Sequence, residues 1–119
     1  MIERYSRPQM KEVWSERNKY EKWLQVELAA CEAWYREGLI PSDEMAKLRS
    51  ATLNFEDIQE ALKETRHELA AFLGSVTGSL GQEGRWIHQG LTTSDVWDTA
   101  TSLQIVEALD IIDNEIVDL

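Results

Sequence analysis

The chain has 119 residues, 43% of them hydrophobic, enough for one domain with a modest core. With 22 acids against 12 bases the net charge is −10, which argues against a nucleic-acid surface or an anionic membrane as partner. Apolar runs such as Leu69-Ala70-Ala71-Phe72-Leu73 fall far short of a membrane span of about twenty residues. The start of the chain does not read as a signal peptide, and a single cysteine, Cys31, permits neither an internal disulfide nor a thiolate metal site. A cytoplasmic protein is the simplest reading.

The hydrophobic pattern is helical throughout, with no period-two alternation, so an all-α fold is expected. A first long helix is predicted from about Arg7 or Pro8 to Glu37, because proline is tolerated in a first turn. Its apolar stripe is Met10, Val13, Trp14, Leu24, Leu28, Cys31 and Tyr35, widened by Tyr20, Trp23 and Trp34. Gly38 suits the position after that helix, and Pro41 blocks continuation. Ser42 is expected to cap a short helix with Asp43 and Glu44 in its first turn. Asn54 with Asp57 marks a third start, for a helix through about Lys63. Thr65-Arg66-His67-Glu68 fits the capping-box pattern. It opens a fourth helix that presents Leu69, Phe72, Leu73, Val76 and Leu80 and ends at Gly81. A loop with Gly84 and Gly90 leads to the last helix, from about Ser94 to Leu119.

That last helix carries Ile105, Leu109, Ile112, Ile116 and Leu119 at spacings of four, three, four and three, the seam of a helical bundle. Leu103, Val106 and Ile111 widen it. A seam still strong at the final residue, with no cap, predicts an N-terminal piece of a longer protein. Residues 1–93 would form a helical domain and residues 94–119 the beginning of a long bundle helix. Exposed in isolation, the 100–119 helix is expected to self-associate.

Three segments supply candidate binding chemistry. His88-Gln89-Gly90-Leu91-Thr92-Thr93-Ser94-Asp95 is a glycine turn that delivers hydroxyls and unpaired backbone N–H groups to a helix start, where anions are favoured. Thr92 with Asp95 also reads as a capping box, so plain capping explains part of it. Arg66-His67-Glu68 places an arginine and a histidine in a first turn, whose positive potential favours a neutral imidazole that can donate to a substrate or act as base. Arg4-Tyr5-Ser6 offers a guanidinium fork and a phenol for a phosphate or carboxylate. A solvated terminal segment is the plain alternative there. His67 and His88 are the only histidines and match no zinc-ligand spacing. The five tryptophans read mostly as core and none is assigned to a site.

Taken together, Met1-Ile2-Glu3-Arg4-Tyr5-Ser6-Arg7-Pro8, Thr65-Arg66-His67 and Trp86-Ile87-His88-Gln89-Gly90-Leu91-Thr92, followed by Asp98-Thr99-Ala100, closely resemble the bacterial-type adenylosuccinate lyases of the aspartase/fumarase superfamily. Trp23-Leu24, Glu27, Cys31-Glu32-Ala33-Trp34 and Gly38-Leu39-Ile40-Pro41 extend the resemblance over essentially the whole chain. It implies the N-terminal helical domain of a homotetramer with a central helical bundle and with active sites assembled from three subunits. The reaction implied is β-elimination of fumarate, from adenylosuccinate to give AMP and from the succinyl-aminoimidazole-carboxamide ribotide earlier in purine biosynthesis. No cofactor and no metal are implied.

By the same resemblance Arg4 and Tyr5 would contact the nucleotide. Arg66, His67, Glu68 and His88 would line the substrate pocket, and Thr92 and Thr93 would hold a carboxylate of the succinyl group. Two positions depart from the family pattern: Glu68 stands where aspartate is usual, and Thr93 where serine is usual. Each keeps its functional group. The family's base is a serine in a serine-serine-x-methionine-proline-type loop, and its acid is a histidine in a threonine-histidine segment. Neither segment occurs in these residues. The acid and base are therefore expected beyond Leu119, and the piece alone is expected to be inactive.

Two rivals remain at this stage. A lyase acting on argininosuccinate, aspartate or another succinyl compound is disfavoured by Arg4-Tyr5-Ser6, which suits a nucleotide. A non-catalytic helical oligomerisation module would explain the unfinished seam and the acidic surface.

Overall fold

A computed structural model describes residues 2–119; Met1, the first residue of the N-terminal motif, lies outside the described residues. Where the apolar periodicity predicts one helix up to Glu37, two form: α1, Pro8–Val13, and α2, Glu16–Arg36. The break falls at Trp14-Ser15 because polar side chains there satisfy the backbone. The Ser15 hydroxyl accepts the Asn18 N–H at 3.1 Å and caps α2. The carbonyl of Val13 accepts from Asn18 Nδ2 at 2.9 Å and from Gln104 Nε2 at 2.8 Å.

Gly38, with φ +81°, closes α2 as expected. The short helix α3, Ser42–Leu48, also forms, but its N-cap is Pro41, and Ser42 is already helical and caps nothing. The Ser42 hydroxyl lies 3.4 Å from that of Tyr35 instead. Helix α4, Phe55–Thr65, starts under the predicted Asn54 cap, whose side chain accepts the Asp57 N–H at 3.0 Å. Helix α5, Glu68–Gly78, stops short of the predicted Gly81. Gly81 instead precedes a 3₁₀ turn, Gln82–Trp86, and its N–H is held by Glu83 at 2.8 Å. Helix α6 is Thr93–Val117, beginning one residue before Ser94. Among the described residues there is no strand.

Helices α4 and α5 pair with each other, α2 lies along α6, and α1 packs beside the latter half of α6. The buried positions follow helical spacing: Tyr20, Trp23, Glu27 and Cys31 on α2, and Val96, Ala100, Gln104 and Ala108 on α6. Small residues at 100 and 108 let the two helices approach closely. Trp23 joins three helices. It meets Tyr20 and Phe72 edge-on at 5.3 and 5.4 Å and stacks on Trp97 of α6 at 5.8 Å. Fully buried Phe72, Met45, Leu48 and Ile58 complete the core, each contributing about 1.5–3 kcal/mol by leaving water.

Candidate functional site

Six of the eight predicted site residues fall at two helix junctions, each tied to α2. The first is the turn between α4 and α5. Arg66 ends α4 in the left-handed region, φ 52°, with its N–H on the Leu62 carbonyl at 3.0 Å. Its guanidinium is exposed and makes no ion pair among the described residues. His67 is the N-cap of α5, and its Nδ1 accepts the Ala70 N–H at 3.1 Å.

This corrects the capping box read at Thr65–Glu68. Thr65 still belongs to α4, where its hydroxyl donates to the Ala61 carbonyl at 3.0 Å, and the imidazole does the capping. With Nδ1 engaged as acceptor, the neutral ring carries its hydrogen on Nε2, so His67 faces outward as a donor and not as a base. Glu68 points the other way. Its carboxylate pairs with Lys19 and accepts from the Tyr20 hydroxyl at 2.9 Å, bridging α5 to α2. Burial, reinforced by Glu68, pushes the Tyr20 hydroxyl pKa upward, so Tyr20 stays a donor there.

The second junction leads into α6. His88 has φ 66° and Gly90 φ +73°, a double left-handed turn. The predicted capping box forms at Thr92 and Asp95: the carboxylate accepts the Thr92 N–H at 2.7 Å and its hydroxyl at 3.0 Å. These bonds, the backbone one foremost, hold the Asp95 carboxyl below the usual range, and nearby His88 adds to the effect. Thr93 is half-buried and makes no side-chain hydrogen bond among the described residues.

Helix α2 grips this turn through residues on one face. Cys31 lies 3.6 Å from the Trp86 carbonyl, Trp34 Nε1 donates to the Gln89 carbonyl at 3.1 Å, and Glu27 takes His88. Burial pushes the Cys31 thiol up to about 11, which leaves it an inert core group. Sequence reasoning does not mark Glu27 as a site residue. Its signal was a charged residue in the middle of the apolar stripe of α2, four residues from both Trp23 and Cys31.

Lys19, which holds Glu68, and Glu27, which holds His88, are eight residues apart on α2, so the two junctions are anchored about 12 Å from each other. Trp23 and Trp97 lie between the anchors. Arg66 and His88 are also the only non-glycine residues with positive φ among those described. Backbone strain of this kind persists where the surroundings impose it, and it gathers at functional sites.

Arg4 and Tyr5 do not join them. They form a 3₁₀ turn, Glu3–Tyr5, at the far end of α6, where Arg7 pairs with Glu115. An open groove of ≈ 630 Å³ lies there, lined by Tyr5, Met10, Ile112 and Ile116 among others. From Thr92 to Glu115 the helix covers 23 residues, about 35 Å. Among the described residues no three His, Cys, Asp or Glu side chains gather to hold a metal ion, and no helix is long and apolar enough to cross a membrane.

No protein-family model matches the chain. It is 46% identical over 117 residues to an adenylosuccinate lyase of Staphylococcus saprophyticus, an alignment covering 98% of this chain and 27% of that protein. It is 46% identical over 113 residues to an adenylosuccinate lyase of Bacillus subtilis, covering 94% of this chain and 26% of the relative. Over almost its whole length this chain is similar to adenylosuccinate lyases. The crystal structure of a fumarate lyase from Mesorhizobium sp. BNC1 superposes with a TM-score of 0.77 at 28% identity, over 88% of this chain and 26% of that one. The all-α fold is thus that of this lyase superfamily. The chain spans about a quarter of the length of the adenylosuccinate lyases it matches.

Proposed function

We propose that this chain forms part of a cytoplasmic lyase of purine biosynthesis that releases fumarate from adenylosuccinate to leave AMP, and from the succinyl-aminoimidazole-carboxamide ribotide, by β-elimination. Arg66, His67, His88, Thr92 and Thr93 bind substrate at the two junctions on α2. The observation that carries this is that both junctions are tied to α2, through Glu68 on Lys19 and His88 on Glu27, with left-handed backbone at Arg66 and His88. The Arg66 guanidinium, exposed and without an ion pair among the described residues, suits a substrate carboxylate or phosphate. Glu68 supports the pocket from behind, since its carboxylate is held by Lys19 and Tyr20.

Arg4 and Tyr5 sit about 35 Å away along α6, so they serve the site of a neighbouring copy in a homotetramer. The base that takes the Cβ proton and the acid that protonates the leaving nitrogen come from outside this chain, and residues 1–119 alone turn over no substrate. Residues 94–119 open the long bundle helix of that assembly. The exposed Ile105, Leu109, Ile112 and Ile116 also favour a second reading, a non-catalytic oligomerisation module.

Replacing Arg66 separates the two. Its side chain makes no hydrogen bond or ion pair among the described residues, so Arg66→Ala leaves the melting temperature unchanged. In the lyase it lowers kcat/KM for adenylosuccinate on the order of a hundredfold, the loss of a charge-assisted bond. Thr92→Ser, which keeps the hydroxyl, is the mild control. Activity unaltered by Arg66→Ala would favour the module.

A further inference from the structure

The charged group least expected in the core faces the candidate site. Glu27 is fully buried, and both of its oxygens are directed at His88. Oε2 accepts the backbone N–H at 2.8 Å, and Oε1 lies 2.7 Å from ring Nδ1. The side chain of His88 is 24% exposed, and Nε2 is the ring nitrogen left to meet a ligand.

We propose that Glu27 is a positioning residue that holds His88 in its left-handed conformation and as the Nδ1–H tautomer, so that Nε2 is presented to substrate as an acceptor. This rests on the reading of His88 as a substrate-binding residue. A carboxylate offers only acceptors, so the ring nitrogen facing it must carry the hydrogen, and a neutral ring then has none on Nε2. Carboxylates that orient histidines at metal and catalytic sites act in the same way. His67 is the opposite case, because its Nδ1 accepts the Ala70 N–H and its Nε2 carries the hydrogen. The two junctions thus offer one imidazole acceptor and one imidazole donor. A ligand group that meets Nε2 of His88 is a hydroxyl or an N–H.

Glu27→Gln keeps the shape and reverses the chemistry. Its amide oxygen still accepts the His88 backbone N–H, while its NH2 donates to Nδ1 and shifts the ring hydrogen to Nε2. Ring-nitrogen NMR of the ¹⁵N-labelled chain should show hydrogen on Nδ1 of His88 and on Nε2 of His67. Glu27→Gln should invert the His88 pattern alone, and Glu27→Asp, still a carboxylate, should preserve it. In the lyase, Glu27→Gln should raise KM for adenylosuccinate on the order of tenfold with kcat little changed, the signature of lost binding. An Nε2–H ring at His88 in the unaltered chain overturns the proposal, and so does an inverted ring with unchanged KM. The site reading fails separately, if His88→Ala leaves KM unchanged whatever the ring shows.

Discussion

At Gly90 a φ of +73° coincides with the indole of Trp34, whose Cζ2 would lie 3.1 Å from an added Cβ. Gly38 shares the left-handed conformation, φ +81°, but an added Cβ there meets nothing within 4 Å. The pair separates backbone strain from crowding. Gly38→Ala should cost about 1 kcal/mol, the left-handed penalty alone. Gly90→Ala carries that penalty and also pushes on the indole, whose Nε1 donates to Gln89, so about 2 kcal/mol or more is expected. Urea unfolding of the two variants checks this. Equal losses would mean that Trp34 yields freely and does not brace the turn. If the turn that carries His88 binds substrate as proposed, Gly90→Ala should also weaken that binding, whereas Gly38→Ala should not.

Among the elements, the start of α6 depends on ionised Asp95, and the contact of α2 with α3 on ionised Glu32. The Thr92 N–H lowers the carboxyl pKa of Asp95, and the Arg49 hydrogen bond lowers that of Glu32. For a group whose native pKa lies below its unfolded value, acidification favours the unfolded chain, which binds more protons. These contacts are therefore fully stabilising above the ordinary values of 4.5 for Glu32 and 3.8 for Asp95, and they fade as pH falls below those values through the lowered native ones. Asp95→Asn keeps an acceptor for the Thr92 N–H but cannot be protonated. Its melting temperature should fall less between pH 6 and pH 3 than that of the unaltered chain; parallel curves would exclude Asp95 from the acid response.

The same caps show how far the sequence could be read. Asn54, Gly38 and Thr92 act through neighbours within a few residues, and their helices begin or end where the local pattern places them. The break at Ser15 was hidden because the apolar spacing runs through it, and the carbonyl it exposes is satisfied partly by Gln104, 91 residues away. At Thr65–Glu68 the capping-box pattern was real but misplaced, since a left-handed Arg66 moved the cap to His67. Glu27 and His88 are 61 residues apart, and only packing of the turn onto α2 brings them together.

At the scale of the molecule, α6 has two apolar faces and one of them has no cover. Val96, Ala100, Gln104 and Ala108 are buried, whereas Ile105, Leu109, Ile112 and Ile116 are 45–61% exposed. The radius of gyration, 16.3 Å over extents of 50 × 36 × 23 Å, exceeds the roughly 13.5 Å expected of a compact chain this long. A helix of about 37 Å accounts for the excess. Its open face, at spacings of four, three and four, matches the geometry of helices that pack at shallow angles. The chain should therefore associate with itself in solution, and sedimentation equilibrium over a range of concentrations should show dimers or larger species. Leu109→Lys with Ile112→Lys should abolish this. Each lost burial removes about 1.5–3 kcal/mol, so the pair should weaken association on the order of a hundredfold or more. The melting temperature of the dissociated chain should stay near that of the unaltered chain at high dilution, because neither side chain lies in the core. If the unaltered chain remained monomeric at high concentration, this face would not be an interface between copies, and the proposal that Arg4 and Tyr5 of one copy serve the α2 junctions of another would lose its support.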